Sequence, residues 1–138
     1  LGDSAYWSVT AIELFDQKRY EDAVAVVDLC FDIWGPEAQK IQKEMHDNNE
    51  PAPAVGKVSP KQKKAIQENF LMNDVSMALW TKAISLDKLG LNTYAIDAYI
   101  ECINMTHGRV WDSGGYEPNG WFWSPAEDCA NKVKKFIQ

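Results

Sequence analysis

The sequence has no apolar run near the roughly 18–20 residues needed to cross a membrane as a helix. Its N-terminus has no basic stretch leading into an apolar one. Cysteine is scarce. Cys30, Cys102 and Cys129 are too few and too far apart for a disulfide scaffold, and no Cys-x-x-Cys or Cys/His spacing suits zinc. Each falls at an apolar position of a predicted helix, where a free thiol acts as a small buried hydrophobe, and unpaired thiols favour a reducing setting. Basic residues are the minority, 14 Lys and Arg against 20 Asp and Glu, a formal charge of −6. That balance argues against nucleic acid, which needs a clustered basic face. Two small lysine clusters, Lys57, Lys61, Lys63 and Lys64, then Lys132, Lys134 and Lys135, read as solvated helix faces. The chain begins at Leu1 and not Met, so it reads as a processed or excised piece. Its compartment stays open: the thiols lean cytoplasmic, and a removed leader would make it periplasmic or secreted.

What the chain does have is apolar material for one core: 138 residues, 46% hydrophobic, with six Trp that need somewhere to pack. Its periodicity is helical. Trp7, Ala11, Leu14 and Phe15 share one face of a segment spanning about 4–18, and Ala23, Val26, Val27, Cys30, Phe31 and Trp34 share one of 21–34. A connection as short as Arg19 and Tyr20 forces the two helices side by side. The pattern returns at 74–89 with Leu79, Ala83, Leu86 and Leu89, closed by Gly90, and at 92–105 with Ala95, Ile96, Tyr99, Cys102 and Ile103. The pairs Ala11 and Ala83, Leu14 and Leu86, Ala23 and Ala95, and Cys30 and Cys102 each lie 72 positions apart. Small residues recur where helices must approach closely.

The two copies read Trp7-x2-Thr10-Ala11-x2-Leu14 with Ala23-x3-Val27, and Leu79-x2-Lys82-Ala83-x2-Leu86 with Ala95-x3-Tyr99. They resemble the tetratricopeptide repeat, whose pattern is Trp-x2-Leu-Gly-x2-Tyr, then Ala-x3-Phe, over about 34 residues. Ala stands for the Gly, Leu for the Tyr, and the closing Pro is displaced to Pro36 or missing. The resemblance implies an all-α solenoid of antiparallel helix pairs, about seven helices, over a single domain 1–138. Within it, repeats at 4–35 and 74–106 flank a degenerate middle repeat at 36–72. That middle copy has a first helix at 36–47 with Pro36 leading it, an exposed and mobile loop at 48–59, and a second helix from Pro60 to about Phe70, capped by Ser59. The alternative is one long helix over 60–89. An aromatic loop at 107–123 precedes a capping helix at 124–137, with Ser124 as cap and Pro125 first, which covers the apolar end of the stack.

The resemblance also implies a ligand groove lined by the first helix of each repeat. The matching positions are Ala5, Ser8, Ile12 and Phe15, then Met77, Trp80, Ile84, Asp87 and Lys88. Ile12, Phe15, Met77, Trp80 and Ile84 are large and apolar with Trp80 as an anchor, which suits an amphipathic helix or extended peptide. The other outcome is a groove filled by the C-terminal segment or the middle loop. No Lys/Asn/Arg clamp for a terminal carboxylate is present. The loop at 107–123 gathers Trp111, Tyr116, Trp121, Phe122 and Trp123 among four glycines. Leaving such rings in water forfeits about 1.5–3 kcal/mol each, so they either pack on the last repeat or meet a partner or a sugar.

Chemistry is thinly supplied. Asp112-Ser113-Gly114-Gly115 echoes the nucleophile region of trypsin-like proteases, but a short helical chain cannot build their double barrel, and neither His46 nor His107 has an acid partner. The residues imply no catalytic set, cofactor or metal site. The expectation is therefore an interaction module binding a protein or peptide partner. The alternative is small-ligand or carbohydrate binding through the aromatic loop, and self-association through the groove or a repeat end is a further outcome.

Overall fold

The computed structural model describes residues 3–115 and 120–137, so Tyr116 lies outside the described residues. The chain is mostly helical: α1 (Ser4–Asp16), α2 (Tyr20–Asp47), α3 (Pro60–Glu68), α4 (Phe70–Lys88), α5 (Asn92–Ile103) and α6 (Pro125–Val133), the last running into a 3₁₀ turn, Lys134–Phe136. Two short strands, β1 (Val110–Asp112) and β2 (Trp121–Trp123), pair antiparallel with Trp111 opposite Phe122. No helix of the described residues is long and apolar enough to cross a membrane.

Local chemistry starts and stops these helices. Asp3 accepts the Tyr6 amide at 2.8 Å, and Ser124 accepts the Glu127 amide at 3.1 Å ahead of Pro125. Ser59 and Gln62 form a reciprocal capping box with Pro60 between them. Helix α1 ends with Lys18 at φ +62, its amide on the Phe15 carbonyl and the Arg19 amide on the Leu14 carbonyl. Helix α4 ends the same way 72 positions on, with Gly90 at φ +74, its amide on Asp87 and the Leu91 amide on Leu86. These are the paired bonds of a left-handed helix stop. The two copies thus share a turn as well as an apolar pattern.

The core follows the same register. Trp7, Ala11, Ala23 and Val27 of the first copy and Leu79, Ala83, Ala95 and Tyr99 of the second are all buried. Helix α1 packs on α2 and α4, α2 on α4, α4 on α5 and α6, and α5 on α6. Helix α4 is therefore the centre. The Trp7 indole is satisfied inside the core, donating to the Val26 carbonyl at 2.8 Å with its ring 5.2 Å from Trp34.

Three parts differ from the sequence expectation. Helix α2 does not stop at Trp34 but runs through Pro36 to Asp47. A proline inside a helix costs about 3 kcal/mol or more, yet beyond it Ala38 and Gln42 are buried and Ile41 and Met45 pack against the core. That burial offsets the lost hydrogen bond. Gly35, which a side chain would replace only by displacing the Phe31 ring, also relieves crowding before the proline. Second, the helix expected from Pro60 to about Phe70 is present as α3, α4 begins at Phe70 and not at 74, and 60–89 is not one long helix. It breaks at Asn69, whose carbonyl and amide serve the ends of both α3 and α4. Third, the loop after α2 is not free, as described below.

Cysteine is the other correction. Cys102 of α5 and Cys129 of α6 form a disulfide, and only Cys30 is free, so the reading of three unpaired thiols and the reducing setting drawn from it do not hold. Adjacent packed helices bring the two Cα atoms to 6.3 Å, inside bridging range. The link closes a loop of 27 positions, for which the chain-entropy relation gives about 3.5 kcal/mol. Reduction, or serine at both positions, should therefore lower the unfolding free energy from urea titration by an amount on that scale, and the urea midpoint with it. An unchanged midpoint on adding reductant would show that the link contributes nothing.

Candidate functional site

The predicted groove residues do not share one fate. Helix α6 and β2 cover the lower part of the face formed by α1 and α4. There the Trp80 indole donates to Asp128 at 2.7 Å, and its ring meets Trp123 at 5.2 Å and Phe15 at 5.8 Å. Phe15 also touches Tyr20 at 5.6 Å, and Ile84 is buried in the core. Lys88 is exposed at the far end of α4. The C-terminal segment therefore fills this half from within.

The upper half stays open. Ser8, Val9 and Ile12 of α1, Phe70, Asn73, Asp74 and Met77 of α4, and Gln67 of α3 face Arg109, Val110, Trp111 and Phe122 across a mainly apolar cleft of about 300 Å³. Two apolar side chains at this cleft are largely in water, Val9 at 49% and Phe70 at 63% exposed. Of the predicted groove set, Ser8, Ile12 and Met77 line it; Phe15, Trp80, Ile84 and Lys88 do not. Ser8 is itself buried, its hydroxyl donating to the Ala5 carbonyl at 3.2 Å.

The aromatic segment forms one wall. Trp111 meets Phe122 edge-on at 4.9 Å, and the Lys63 ammonium sits 4.0 Å over the Trp111 ring. Trp123 is committed to Trp80, and Trp121 keeps 37% of its surface. Gly120 is required because a side chain there would strike the Asp112 carbonyl and the Trp111 ring. Ser113, in the protease-like stretch, accepts the Gly115 amide within this turn.

A buried polar cluster holds the wall in place. The loop following α2 reaches the hairpin through Gly56, whose amide and carbonyl exchange bonds of 2.7 and 3.0 Å with Phe122. Arg109 is buried and donates to the Pro53, Thr106 and Gly108 carbonyls at 2.7–3.1 Å. Burial pushes its guanidinium below the ordinary arginine range, against the attraction of Glu127. His107 is equally enclosed. Its amide donates to Gln42 Oε1 at 2.8 Å, and its Nε2 lies 2.8 Å from the Glu50 carbonyl. A carbonyl can only accept, so Nε2 carries the proton and Nδ1 accepts from Gln42 and Thr106 at 2.9 and 3.0 Å. The loop read as mobile is therefore pinned at Glu50, Pro53 and Gly56. Sequence reading missed the cluster of Gln42, His107 and Arg109, and no local signal marks it, because Gln42 lies 65 positions from His107.

Asp74 is the odd group in the cleft. Its Oδ2 accepts the Ser4 hydroxyl at 2.6 Å. Burial raises its carboxyl above the ordinary range, the Ser4 bond opposes this, and the charge of Asp3 adds to it. No group of three or more His, Cys, Asp or Glu side chains converges to hold a metal ion among the described residues.

Comparison of the chain with protein-family models, with curated proteins and with solved structures finds no match.

Two outcomes follow. Arg109→Lys keeps a charge but loses the fork across three carbonyls, so amide exchange at Gly56 and Phe122 should accelerate while the α1 and α2 amides keep their protection. Equal protection throughout would remove the clamp. For Asp74, the raised folded value means stability falls as pH rises from the unfolded carboxyl range, about 4, through the folded one. Asp74→Asn retains an acceptor for Ser4 without the charge. Its thermal midpoint should match or exceed that of the parent at pH 7, and the difference should vanish below the carboxyl range. A lower midpoint at pH 7 would mean that the charge stabilises the fold.

Proposed function

We propose that the chain is a small helical-repeat module of the tetratricopeptide kind that binds a segment of a partner protein rather than catalysing a reaction. The repeat reading is supported by the shared helix stops at Lys18 and Gly90, by the buried pairs in common register, and by α1 and α4 lying side by side as successive first helices. On this reading the unit has two repeats. The insertion between them is the extended end of α2, the pinned loop and α3.

The observation that carries the binding reading is the open upper cleft. It is apolar, it borders exposed Val9 and Phe70, and no described residue of the chain occupies it. The covered half explains why Trp80 is not the anchor: its indole and ring are already committed to Asp128, Trp123 and Phe15. Replacing Trp80 would therefore test stability and not recognition. A carbohydrate or small-ligand reading of the aromatic segment has less support, since Trp111 and Trp123 already have ring partners. Against catalysis stands His107, with both ring nitrogens held by neighbours.

A photo-crosslinking residue placed at Phe70 tests this directly, because that side chain is exposed and its replacement leaves the core intact. A discrete adduct should form in cells, and Val9→Glu should reduce it by about tenfold or more, since it puts a charge at the rim of an apolar contact. An adduct insensitive to Val9→Glu, or none at all, would dismiss the cleft.

A further inference from the structure

The polar groups that border the cleft are unevenly provided with partners. The Asn73 amide nitrogen donates to the Ile66 carbonyl and its oxygen accepts the Arg109 amide. The Arg109 guanidinium is spent on carbonyls, and among the described residues it forms no ion pair with Asp74. Asp74 gives one oxygen to Ser4; its other oxygen has no donor among the described residues. On the α1 side the rim is acidic, because α1 and its cap carry Asp3, Glu13 and Asp16 and no Lys or Arg. The nearby basic groups lie on the opposite wall, with Lys63 over the Trp111 ring and Arg109 held by carbonyls.

We propose that the cleft selects a partner segment in which a lysine or arginine stands beside a large apolar side chain. The apolar group fills the space bordered by Ile12, Met77 and Phe122, and the cation reaches the uncommitted oxygen of Asp74. This rests on the partner-binding reading above and names the chemistry of the occupant. A carboxylate partly withdrawn from water attracts a cation more strongly than one on an open surface. An acidic segment would instead place its charge beside Asp74 and Asp3. The positive charge of Arg109, on the opposite wall, is surrounded by three carbonyls and buried, so it competes little for the carboxylate. A space of about 300 Å³ admits one such apolar side chain and the stem of its basic neighbour, not a folded surface.

The test uses three capped tetrapeptides identical but for one position, Ala-Lys-Leu-Ala and its Gln and Glu counterparts, titrated against the intact chain. The methyl resonances of Ile12 and Met77 report occupancy. The Lys peptide should bind about tenfold more tightly than the Gln peptide, the scale of one charge-assisted hydrogen bond, and the Glu peptide most weakly. In Asp74→Asn the Lys and Gln peptides should become equal. Equal binding of Lys and Gln peptides by the unaltered chain would overturn the selection of a cation while leaving the docking reading intact. That comparison does not depend on any variant folding. A Lys preference that survives in Asp74→Asn would overturn the role of Asp74. Failure of all three peptides to move either methyl would remove the docking reading and this inference together. Methyl shifts on dilution alone would identify a second copy of the chain as occupant and overturn it equally.

Discussion

Helix α4 has to be covered on nearly every side, and the rest of the molecule is arranged to do so. Ten of its nineteen residues are buried, among them Met72, Val75, Ala78, Leu79, Ala83 and Leu86, and they do not fall on a single stripe. A helix without one apolar face cannot lie on a surface. Helices α1, α2, α5 and α6 therefore contact it on different sides, with β1 alongside its first half. Ala11, Ala23, Ala83 and Ala95 let these neighbours come close, since a larger side chain at any of them would hold two helices apart. The disulfide between α5 and α6 closes the last side of this enclosure.

The parts of the fold legible in the sequence are those set by neighbours in the chain. Capping by Ser59 and Ser124, the stop at Gly90 and the recurring alanines depend on residues a few positions apart, and these read correctly. The stop at Lys18 was less visible because a lysine gives no sign of adopting φ +62. Pro36 misled for the complementary reason. Proline is a sound local marker of a helix start, but the apolar face from Ala38 to Met45 has somewhere to be buried only if α2 continues. Tertiary burial outweighed the local rule.

Contacts between distant segments were not legible. Arg109 meets Pro53 and His107 meets Glu50 across separations of 56 and 57 residues, and each polar side chain alone would read as surface. Cys102 and Cys129 carried a hint, because both sat on predicted neighbouring helices at one end of the stack, but spacing alone does not distinguish a pair from two buried thiols. The groove was half legible. The positions matched through the repeat resemblance put Ile12 and Met77 at the groove, where they line the cleft, but could not say that Trp123 and Asp128 would return to cover Trp80.

The two charges bordering the cleft differ in a way that separates scaffold from site. Arg109 is buried with its donors almost fully used, and in that position it fixes the loop, the hairpin and hence one wall. A buried charge so completely met by carbonyls is a fastening. Among the described residues Asp74 is met by one hydroxyl only, in surroundings that oppose its ionisation. Burial of a half-satisfied carboxylate works against stability, and the fold gains nothing visible in return, since Ser4 could be held by an uncharged acceptor. A half-satisfied carboxylate in an apolar cleft, beside exposed Val9 and Phe70, is the feature on which the proposed binding reading rests. The groove implied by the repeat resemblance thus narrows, on the proposed reading, to its upper half, and within that half to a carboxylate whose second oxygen has no donor among the described residues.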